Sequence, residues 1–405
     1  MQTQLLDSLL ETAEGREADA ILRSCVHCGF CTATCPTYQL LGDERDGPRG
    51  RIYLIKQVLE GSPAGAGTQM HLDRCLTCRS CETTCPSGVR YGRLLDIARP
   101  LVDAQVARPW LERLQRRLLR WMLPYPQRFT PLARLGHILR PILPAPLRSQ
   151  VPRITPDSPW PQKTHARRML VLEGCVQPAL APSINAATAR VLDRMGIHLL
   201  TAKASGCCGA VSYHLNAHEE GLQFMRRNID AWEPYLDQGV EAIVITASGC
   251  GLMVKEYAAA LAHDPKYAQR AARISAAARD LVEILEQEEL DAWRSASGAR
   301  IAFQSPCTLQ HGQRLAGRVE AVLSRLGFHL SPVAEAHLCC GSAGTYSILQ
   351  PQLSRRLLKN KLESLQAGDP EVIVTANIGC LTHLQTAAKA PVRHWIEVVD
   401  QMMAG

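Results

Sequence analysis

The sequence predicts a multidomain α+β protein, in which an α-helical N-terminal domain precedes a pseudo-symmetric, duplicated α/β domain. Three observations support this fold class. Eight cysteines fall in two copies of one pattern between residues 25 and 85. From residue 168 onward, strand and helix patterns alternate, which is typical of parallel βαβ sheets. Eight further cysteines in that second part repeat at a nearly constant offset, which indicates an internal duplication.

The overall composition is that of a folded protein with a large core. The chain has 405 residues, of which 46% are hydrophobic and 20% charged, and its length suggests two to three domains. The first twenty residues carry five acidic side chains and no long apolar run, so we expect neither a signal peptide nor a transit peptide. No apolar stretch is long enough for a transmembrane helix. We expect a cytoplasmic protein, with a peripheral site on the cytoplasmic face of the inner membrane as the alternative.

The N-terminal cysteines form two copies of the run C-x2-C-x2-C-x3-C-P, Cys25 to Pro36 and Cys75 to Pro86. This run is typical of ferredoxins with two [4Fe–4S] clusters, in which the fourth cysteine ligates the other cluster. Zinc sites prefer pairs of C-x2-C, and disulfides are rare without export, so the pattern favours iron. The predicted ligands are Cys25, Cys28, Cys31 and Cys85 for cluster 1, and Cys75, Cys78, Cys81 and Cys35 for cluster 2.

The residues around these motifs predict helices. Residues 1–24 and 49–59 have helical periodicity, and 61–67 form a glycine-rich loop. Matching cysteines of the two runs are 50 residues apart, and the arrangement resembles the α-helical ferredoxin domain of succinate dehydrogenase iron–sulfur subunits. We assign residues 1–100 to this domain. Its arginines are expected to be solvated or helix-capping, with a few offsetting cluster charge as the alternative; they are Arg45, Arg49, Arg51, Arg74 and Arg79.

Residues 101–165 are predicted to be a basic linker rich in Pro and Arg. Thirteen Lys and Arg against three Asp and Glu fall between residues 101 and 170, but no nucleic-acid-binding motif accompanies them, so we expect no nucleic-acid partner. Residues 110–122 predict an amphipathic helix with an arginine face. Three roles stay open for this helix: packing on its own protein with the arginines in water, docking on an acidic partner, and contact with a membrane or its quinone. Its predicted apolar face comprises Trp110, Leu111, Leu114, Leu118, Trp121 and Met122.

The duplicated part is divided into half-domains at 166–296 and 297–405. Strands are predicted at 168–173, 197–200 and 241–246, with a helix at 183–195. The cysteines of the first half are repeated in the second at offsets of 130 to 132 residues. They are Cys175, Cys207, Cys208 and Cys250, matched by Cys307, Cys339, Cys340 and Cys380.

These repeats resemble the cysteine-rich CCG domain of the heterodisulfide reductases. In that family each repeat ends in C-x2-C, whereas this chain has Ala247 and Asn377 in place of the first cysteine. Four cysteines per half leave several occupants open: a conventional cluster, a zinc ion, a reactive dithiol, or no metal at all. Gly209 and Gly341, which follow the cysteine pairs, permit close backbone approach to a bulky centre.

The combination of domains resembles the iron–sulfur subunits of bacterial glycolate oxidase (glycolate dehydrogenase). The resemblance is carried by Cys25 to Tyr38, Gly47-Pro-Arg-Gly-Arg-Ile-Tyr53, both CysCysGly segments and His394-Trp-Ile-Glu397. It implies an electron relay, in which a partner subunit oxidises glycolate to glyoxylate at FAD. A further flavin-type subunit is the second expected partner. The relay would deliver electrons to a quinone or another acceptor.

The resemblance implies no catalytic residue in this chain and no activity of the chain alone. Similar domain combinations occur in lactate and glycerol-3-phosphate dehydrogenase complexes, so these remain alternatives. A thiol–disulfide reductase similar to heterodisulfide reductase is another, and a redox-sensing regulatory protein is a third.

Overall fold

The computed structural model describes residues 1–144, 148, 151–294 and 299–404. These residues form two compact units, Met1–Arg117 with His337–Lys361, and Leu118–Ala336 with Leu362–Gly405. The expected boundary between the half-domains, at residues 296 and 297, lies outside the described residues, and the other domain boundaries stay predictions. Within the described ranges no helix is both long and apolar enough to cross a bilayer.

The first unit is helical, as predicted. The predicted helix at 1–24 is two helices, because the Thr12 hydroxyl accepts a hydrogen bond from Gly15 N at 3.0 Å and starts a new helix there. A side chain on Gly15 would overlap the Leu9 carbonyl oxygen, so this close approach requires glycine. The helices are Asp7–Leu10, Ala13–Ser24, Phe30–Ala33, Pro36–Leu41, Pro48–Leu59, Ala66–Asp73, Ser80–Thr84, Tyr91–Gln105 and Tyr346–Leu349, with a 3-10 turn at Glu44–Asp46.

The core of the first unit lies between its three longest helices. Leu22, Ile55 and Leu94 are fully buried there, one from each helix. The predicted periodicity of residues 49–59 is confirmed, since Ile52, Ile55 and Leu59 all point inward.

A buried carboxylate connects the segments between the two cysteine motifs. Asp46 is fully buried, and its oxygens lie 3.0 Å from His71 Nδ1, 2.9 Å from an Arg74 nitrogen and 3.5 Å from an Arg51 nitrogen. Arg51 is 1% exposed and also donates to the His71 carbonyl oxygen at 2.8 Å. The expectation that Arg51 is solvated or capping is therefore wrong. Its charge is held inside because it compensates Asp46.

The second unit contains two four-stranded parallel sheets of the same topology. The first has the order β2-β1-β3-β4 and the second the order β6-β5-β7-β8. In each sheet the chain starts at an inner strand, adds one neighbour and then crosses to the other side. The predicted duplication is thus confirmed in the strand order. The strands are β1 Arg167–Val171, β2 Ile197–Thr201, β3 Ile243–Ile245, β4 Ala278–Asp280, β5 Arg300–Gln304, β6 His329–Leu330, β7 Val372–Thr375 and β8 Val392–His394.

Helices connect these strands. The predicted helix at 183–195 is observed as Ser183–Arg194, and the predicted strands at 168–173, 197–200 and 241–246 are β1, β2 and β3. Two helices, Trp110–Met122 and Pro351–Gln366, each contain the point in the chain at which one unit ends and the other begins. The remaining helices are Pro126–Leu139, Gln177–Leu180, Ala210–His214, His218–Asp237, Ser248–Lys255, Tyr257–Ala260, Ala268–Ala277, Leu281–Leu285, Arg318–Arg325, Ile378–Leu384 and Trp395–Met403, with 3-10 turns at Arg140–Ile142 and Asp291–Trp293 and a π-turn at Thr308–Gly312.

Both sheets end in the same way, with a capping box after the fourth strand. Asp280 N donates to the Glu283 carboxylate at 2.8 Å, and His394 N donates to Glu397 at 2.9 Å. The His394 ring accepts from Ile396 N through Nδ1, so its Nε2 donates to the Thr246 carbonyl oxygen at 2.9 Å. Burial lowers the pKa of His394 to about 4, which keeps the ring neutral. The His-Trp-Ile-Glu motif is therefore a structural connection to the first half.

The helix Trp110–Met122 has the predicted bounds but the opposite orientation to that expected for packing on its own protein. Trp110, Leu111 and Leu118 are 65%, 60% and 53% exposed, whereas Arg116 retains 13% of its side-chain exposure. The apolar face therefore does not pack inward, and that part of the expectation is wrong, whereas Arg113 and Arg117 are exposed as it requires. Arg116 is largely shielded from solvent, and Asp73 and Glu112 compensate its charge.

The Asp46 network yields a stability prediction. Asp46→Asn removes the carboxylate and leaves Arg51 buried without its counter-ion, so the free energy of unfolding should fall by roughly 3–5 kcal/mol. Urea unfolding under anaerobic conditions measures the change. Asp43→Asn is the matched control, because Asp43 is partly exposed and asparagine retains its cap on Arg45 N, so stability close to that of wild type is expected. Equal effects of the two variants would contradict the role of the buried network.

Candidate metal centres

The two N-terminal cysteine motifs fold into loops of the same backbone conformation. His27 and Gly29 have positive φ angles of 56° and 84°, and the matching Thr77 and Arg79 have 52° and 60°. A left-handed residue between successive cysteines reverses the chain locally, which lets the thiols converge on one centre. Each loop continues into a short helix, Phe30–Ala33 or Ser80–Thr84, that carries the third cysteine.

The first cavity is lined by thiols from both motifs. Its walls include the first three cysteines of the first motif, together with Cys81 and Cys85 of the second. Ile52, Val89 and Tyr91 provide apolar walls. Cys25 is buried and Cys28 is exposed, so the cavity has one side toward solvent.

The second cavity has the reciprocal composition. Its empty volume is about 370 Å³, and Cys35 of the first motif lies with the first three cysteines of the second. Cys81 lines both cavities, so the two adjoin. Each cavity thus contains the four cysteines that the sequence assigns to one cluster, and the first cavity contains Cys81 in addition.

The chemistry of these donors fits a positively charged, thiophilic group. Burial, and next the charge of Cys25, raise the pKa of Cys31 to about 11. Burial also raises the pKa of Cys25, and it raises the pKa of Cys81 well above its usual value, with Cys78 as the next contributor. Each thiolate opposes ionisation of its neighbours, so four can coexist only around a compensating cation. Iron in an iron–sulfur cluster supplies that charge with sulfur ligation.

Arg51 reaches the second cavity through a chain of hydrogen bonds. Its guanidinium donates to Thr37 Oγ1 at 3.2 Å, and Thr37 Oγ1 lies 3.3 Å from Cys35 Sγ. Burial alone would lower the pKa of Arg51, but negative groups, beginning with Cys75, raise it above its ordinary value. A fixed positive charge beside a cluster ligand stabilises added electrons. This position corresponds to the alternative expected from the sequence, in which some of the arginines offset cluster charge, and Arg51 lies one turn before Ile55 on the apolar stripe of its helix.

A third group of potential ligands lies beside the same arginine. Asp43, Asp46 and His71 each place one ligand atom within 4.8 Å of the others. Arg51 and Arg74 already compensate the Asp46 carboxylate, and their charges oppose a further cation. This group is therefore explained as part of the buried ion network.

One segment of the second half-domain belongs to the first unit. Tyr346 is 7% exposed, and its hydroxyl donates to the Arg74 carbonyl oxygen at 3.1 Å. Burial, followed by the charge of Cys75, raises the Tyr346 pKa. The same segment, His337–Lys361, carries Cys339 and Cys340. These two cysteines thus lie in the same compact unit as the N-terminal motifs.

The four cysteines of the first CCG repeat form one thiol cluster. They follow the carboxyl ends of β1, β2 and β3, the edge of a parallel sheet where ligands bind. Hydrogen bonds to Cys175 and Cys208 raise the pKa of Cys207 well above its usual value, and a hydrogen bond to Cys208 does the same for Cys250. Hydrogen bonds from Cys207 and Cys250 lower the pKa of Cys208. The cluster therefore favours one thiolate, at Cys208, and its four sulfur donors fit a thiophilic metal.

The glycine after each cysteine pair fixes the same loop in both halves. Gly209 and Gly341 have φ angles of 92° and 90°, and each donates its N–H to the sulfur two residues earlier at 3.4 Å. A Cβ atom would lie 2.7 Å from the Gly221 carbonyl oxygen in the first half and 2.6 Å from that of Ser354 in the second. Only glycine satisfies both the backbone angle and this approach to a helix carbonyl oxygen, a different close approach from the one to a metal centre that the sequence suggests.

The second CCG repeat places its cysteines at corresponding points of the chain. Cys307 follows β5 and precedes the turn Thr308–Gly312, while Cys380 lies in the helix after β7. Cys307, Cys339, Cys340 and Cys380 are all buried. Asn377, which replaces the first cysteine of the family pattern, donates its side-chain amide to Cys380 Sγ at 3.6 Å. The side chain that stands in place of the missing cysteine thus donates a hydrogen bond to the thiol of Cys380.

Comparisons with known proteins agree with this architecture. A family model described as "4Fe-4S dicluster domain" matches residues 21–89. A second, described as "Cysteine-rich domain", matches residues 169–255 and again residues 301–385. The double match corresponds to the two sheets and confirms the duplicated CCG domain.

Three relatives illustrate the range of similarity. The "Glycolate oxidase iron-sulfur subunit" of Escherichia coli (strain K12) is 58% identical over 404 residues, covering 100% of this chain and 99% of the relative. The "Probable glycolate oxidase iron-sulfur subunit" of Bacillus subtilis (strain 168) is 30% identical, with coverages of 90% and 88%. "Lactate utilization protein A" of Exiguobacterium sp. (strain ATCC BAA-1283 / AT1b) is 28% identical over 52% of this chain and 85% of the relative. The chain therefore belongs to the family of glycolate oxidase iron–sulfur subunits.

Proposed function

We propose that the chain is the electron-transfer subunit of a complex that oxidises glycolate to glyoxylate. The observation that carries this proposal is the pair of adjoining cavities, each lined by three cysteines of one motif and the fourth of the other. The 58% identity over the whole chain to a glycolate oxidase iron–sulfur subunit supports glycolate as the substrate of the complex. Lactate is the weaker alternative, since the lactate-utilisation relative matches about half of the chain.

In this proposal cluster 1 is held by Cys25, Cys28, Cys31 and Cys85, and cluster 2 by Cys75, Cys78, Cys81 and Cys35. Bound [4Fe–4S] clusters each carry one electron at a time, and so divide the two-electron oxidation of glycolate into single steps. The chain positions the two sites next to each other through Cys81, which lines both cavities. Arg51 sets the local charge at the second site through Thr37 and Cys35.

In this proposal the partner subunits, and not this chain, oxidise the substrate. An FAD-containing subunit takes two electrons and two protons from glycolate and passes the electrons to this chain, and a further flavin-type subunit completes the complex. The chain itself supplies no catalytic residue and is inactive alone. It works in the cytoplasm, at the cytoplasmic face of the inner membrane, where a quinone or another acceptor removes the electrons.

We further propose that Cys175, Cys207, Cys208 and Cys250 hold a thiolate-bound metal. The mutual hydrogen bonds of these thiols and their position at the carboxyl edge of a parallel sheet support a ligand site. A conventional iron–sulfur cluster and a zinc ion both accept four sulfur ligands. The matching set in the second half is Cys307, Cys339, Cys340 and Cys380.

The electron-transfer function is tested by Cys28→Ala in the reconstituted complex. Glycolate should still bleach the partner's flavin at the wild-type rate, while reduction of a quinone analogue should stop, because one cluster ligand is missing. Stopped-flow absorbance measures both steps. Ser87→Ala, which changes another residue of the same cavity, should leave both rates unchanged. Normal quinone reduction by the cysteine variant would exclude the relay, and faster flavin bleaching by lactate than by glycolate would assign the alternative substrate.

The exchange of the fourth cysteine predicts which variants affect the same cluster. Cys85→Ala should alter the EPR signal that Cys25→Ala alters, although these cysteines belong to different motifs. Cys35→Ala should likewise match Cys75→Ala in altering the other signal. Anaerobically purified and dithionite-reduced samples provide the spectra. If Cys85→Ala instead altered the signal affected by Cys75→Ala, each motif would hold its own cluster and the assignment would be wrong.

Metal content tests the CCG sites. Two [4Fe–4S] clusters account for about eight iron atoms per chain. Wild type should contain iron or zinc beyond that number, and Cys208→Ala should lose the excess, with Cys340→Ala probing the second half in the same way. Ser205→Ala, which changes a neighbouring residue without sulfur, should retain it. Plasma mass spectrometry gives the contents. About eight irons and no zinc in all four proteins would leave the CCG cysteines as thiols.

A further inference from the structure

The helix Trp110–Met122 presents its apolar face to solvent. Trp110, Leu111 and Leu118 are 53% to 65% exposed, and Leu114 and Trp121 are 45% and 53% exposed. These positions are spaced by one, three or four residues and occupy one side of the helix. Leu119 is its buried residue, on the opposite side. Five large apolar side chains in a continuous stripe constitute a patch of the kind that marks an interaction surface.

Ion pairs on the other side of the helix hold this orientation. Arg108, whose side chain is 8% exposed, donates to Asp73 at 2.5 Å and to Asp103 at 2.6 Å. Arg116, which is 13% exposed, lies 3.3 Å from Asp73 and 2.9 Å from Glu112. The polar side of the helix is thus attached to the protein. Rotating the apolar stripe inward would break the pairs of Arg116 with Asp73 and of Glu112 with Arg108, which favour the orientation in which the stripe is exposed.

The following helix also exposes apolar side chains. Pro126–Leu139 contains no buried residue, and its Leu132, Leu135 and Ile138 are 47%, 52% and 71% exposed. Ile142, just beyond it, is 78% exposed. The apolar character of the segment therefore extends over residues 110–142.

The positive charge around residues 110–142 indicates which kind of partner the exposed apolar side chains bind. Residues 113–156 contain nine arginines and no aspartate or glutamate. Arg113, Arg117 and Arg134 are exposed and lie in the two helices that carry the apolar side chains. A surface that is both apolar and strongly positive is complementary to an anionic bilayer, which offers hydrocarbon below a layer of negative headgroups. Tryptophans at both ends of the first stripe fit the headgroup level, where their amphipathic rings concentrate.

We propose that residues 110–142 bind the surface of an anionic lipid bilayer, with the apolar stripe of Trp110–Met122 inserted among the headgroups and arginines paired with lipid phosphates. The inference rests on the proposed function only in placing the chain at the inner membrane, and it names the surface by which the complex would reach a lipid-soluble acceptor. The helices lie on the membrane and do not cross it, in keeping with their lengths of 13 and 14 residues.

Vesicle co-sedimentation of the intact chain, purified anaerobically, tests this surface. Wild type should bind mixed phosphatidylglycerol and phosphatidylcholine vesicles more tightly than pure phosphatidylcholine, and added salt should weaken the binding. Leu111→Ser combined with Leu118→Ser should weaken binding at least about tenfold, because two inserted leucines are lost. Both side chains are exposed, so the fold should persist. Tyr53→Ser, which removes a 51% exposed aromatic ring elsewhere, should bind like wild type.

Two further variants separate the electrostatic contribution to vesicle binding from the apolar one, and a failed membrane surface from a failed electron relay. Arg113→Gln with Arg117→Gln should reduce binding to the anionic vesicles and leave the weak binding to phosphatidylcholine unchanged. Cys28→Ala should bind vesicles normally, so a failed relay and a failed membrane surface give different results. Wild type that ignores anionic vesicles, or a leucine variant that binds them as tightly as wild type, would overturn the proposal. Loss of flavoprotein binding in the leucine variant without any vesicle binding would assign the stripe to a protein partner.

Discussion

The structure of the N-terminal unit depends on one constraint, the crossing of the fourth cysteines. Cys85 lies in the cavity of the first motif and Cys35 in that of the second, so neither cavity is complete until both motifs have folded. The chain between them must therefore bring two loops 50 residues apart into contact. The helices Pro48–Leu59 and Ala66–Asp73 do this, and the buried Asp46 connects the two helices through Arg51 and His71.

The same connection adjusts the electrostatics around the thiols. Four thiolates in a half-buried space repel one another, and burial raises the pKa of Cys81 and Cys25. A bound iron–sulfur cluster would supply compensating positive charge. Arg51 adds a fixed charge that water cannot screen, close to Thr37 and Cys35. Arg51 thus takes part both in the ion network that holds the helices and in the environment of the second site. A substitution of Arg51 would therefore change the stability of the fold and the electron affinity of that site together.

Much of the fold could be predicted because the signals were local. Cysteine spacing indicated the two four-cysteine groups, and strand patterns with a 130- to 132-residue repeat indicated two related sheets. The orientation of Trp110–Met122 could not be derived from its periodicity, since an amphipathic pattern defines two faces without saying which one packs inward. The partner that favours the observed orientation, Asp73, is 43 residues before Arg116 of the helix. Burial of Arg51 depends in the same way on Asp46 and His71. The place of His337–Lys361 beside the N-terminal unit depends on contacts such as Tyr346 to Arg74, more than 250 residues apart.

Gly209 and Gly341, the glycines after the two cysteine pairs, adopt the same conformation in both halves of the duplicated domain. Gly209 and Gly341 share a φ angle within 2°, the same hydrogen bond to a sulfur, and the same close approach to a helix carbonyl oxygen. Two loops that had evolved separately would have had little reason to arrive at the same steric solution. The CysCysGly turn is thus the part of the repeat that both halves keep in the same form. The two copies differ in what surrounds the turn: Ala247 in the first corresponds to Asn377 in the second, and only the second has a segment, His337–Lys361, that belongs to the N-terminal unit.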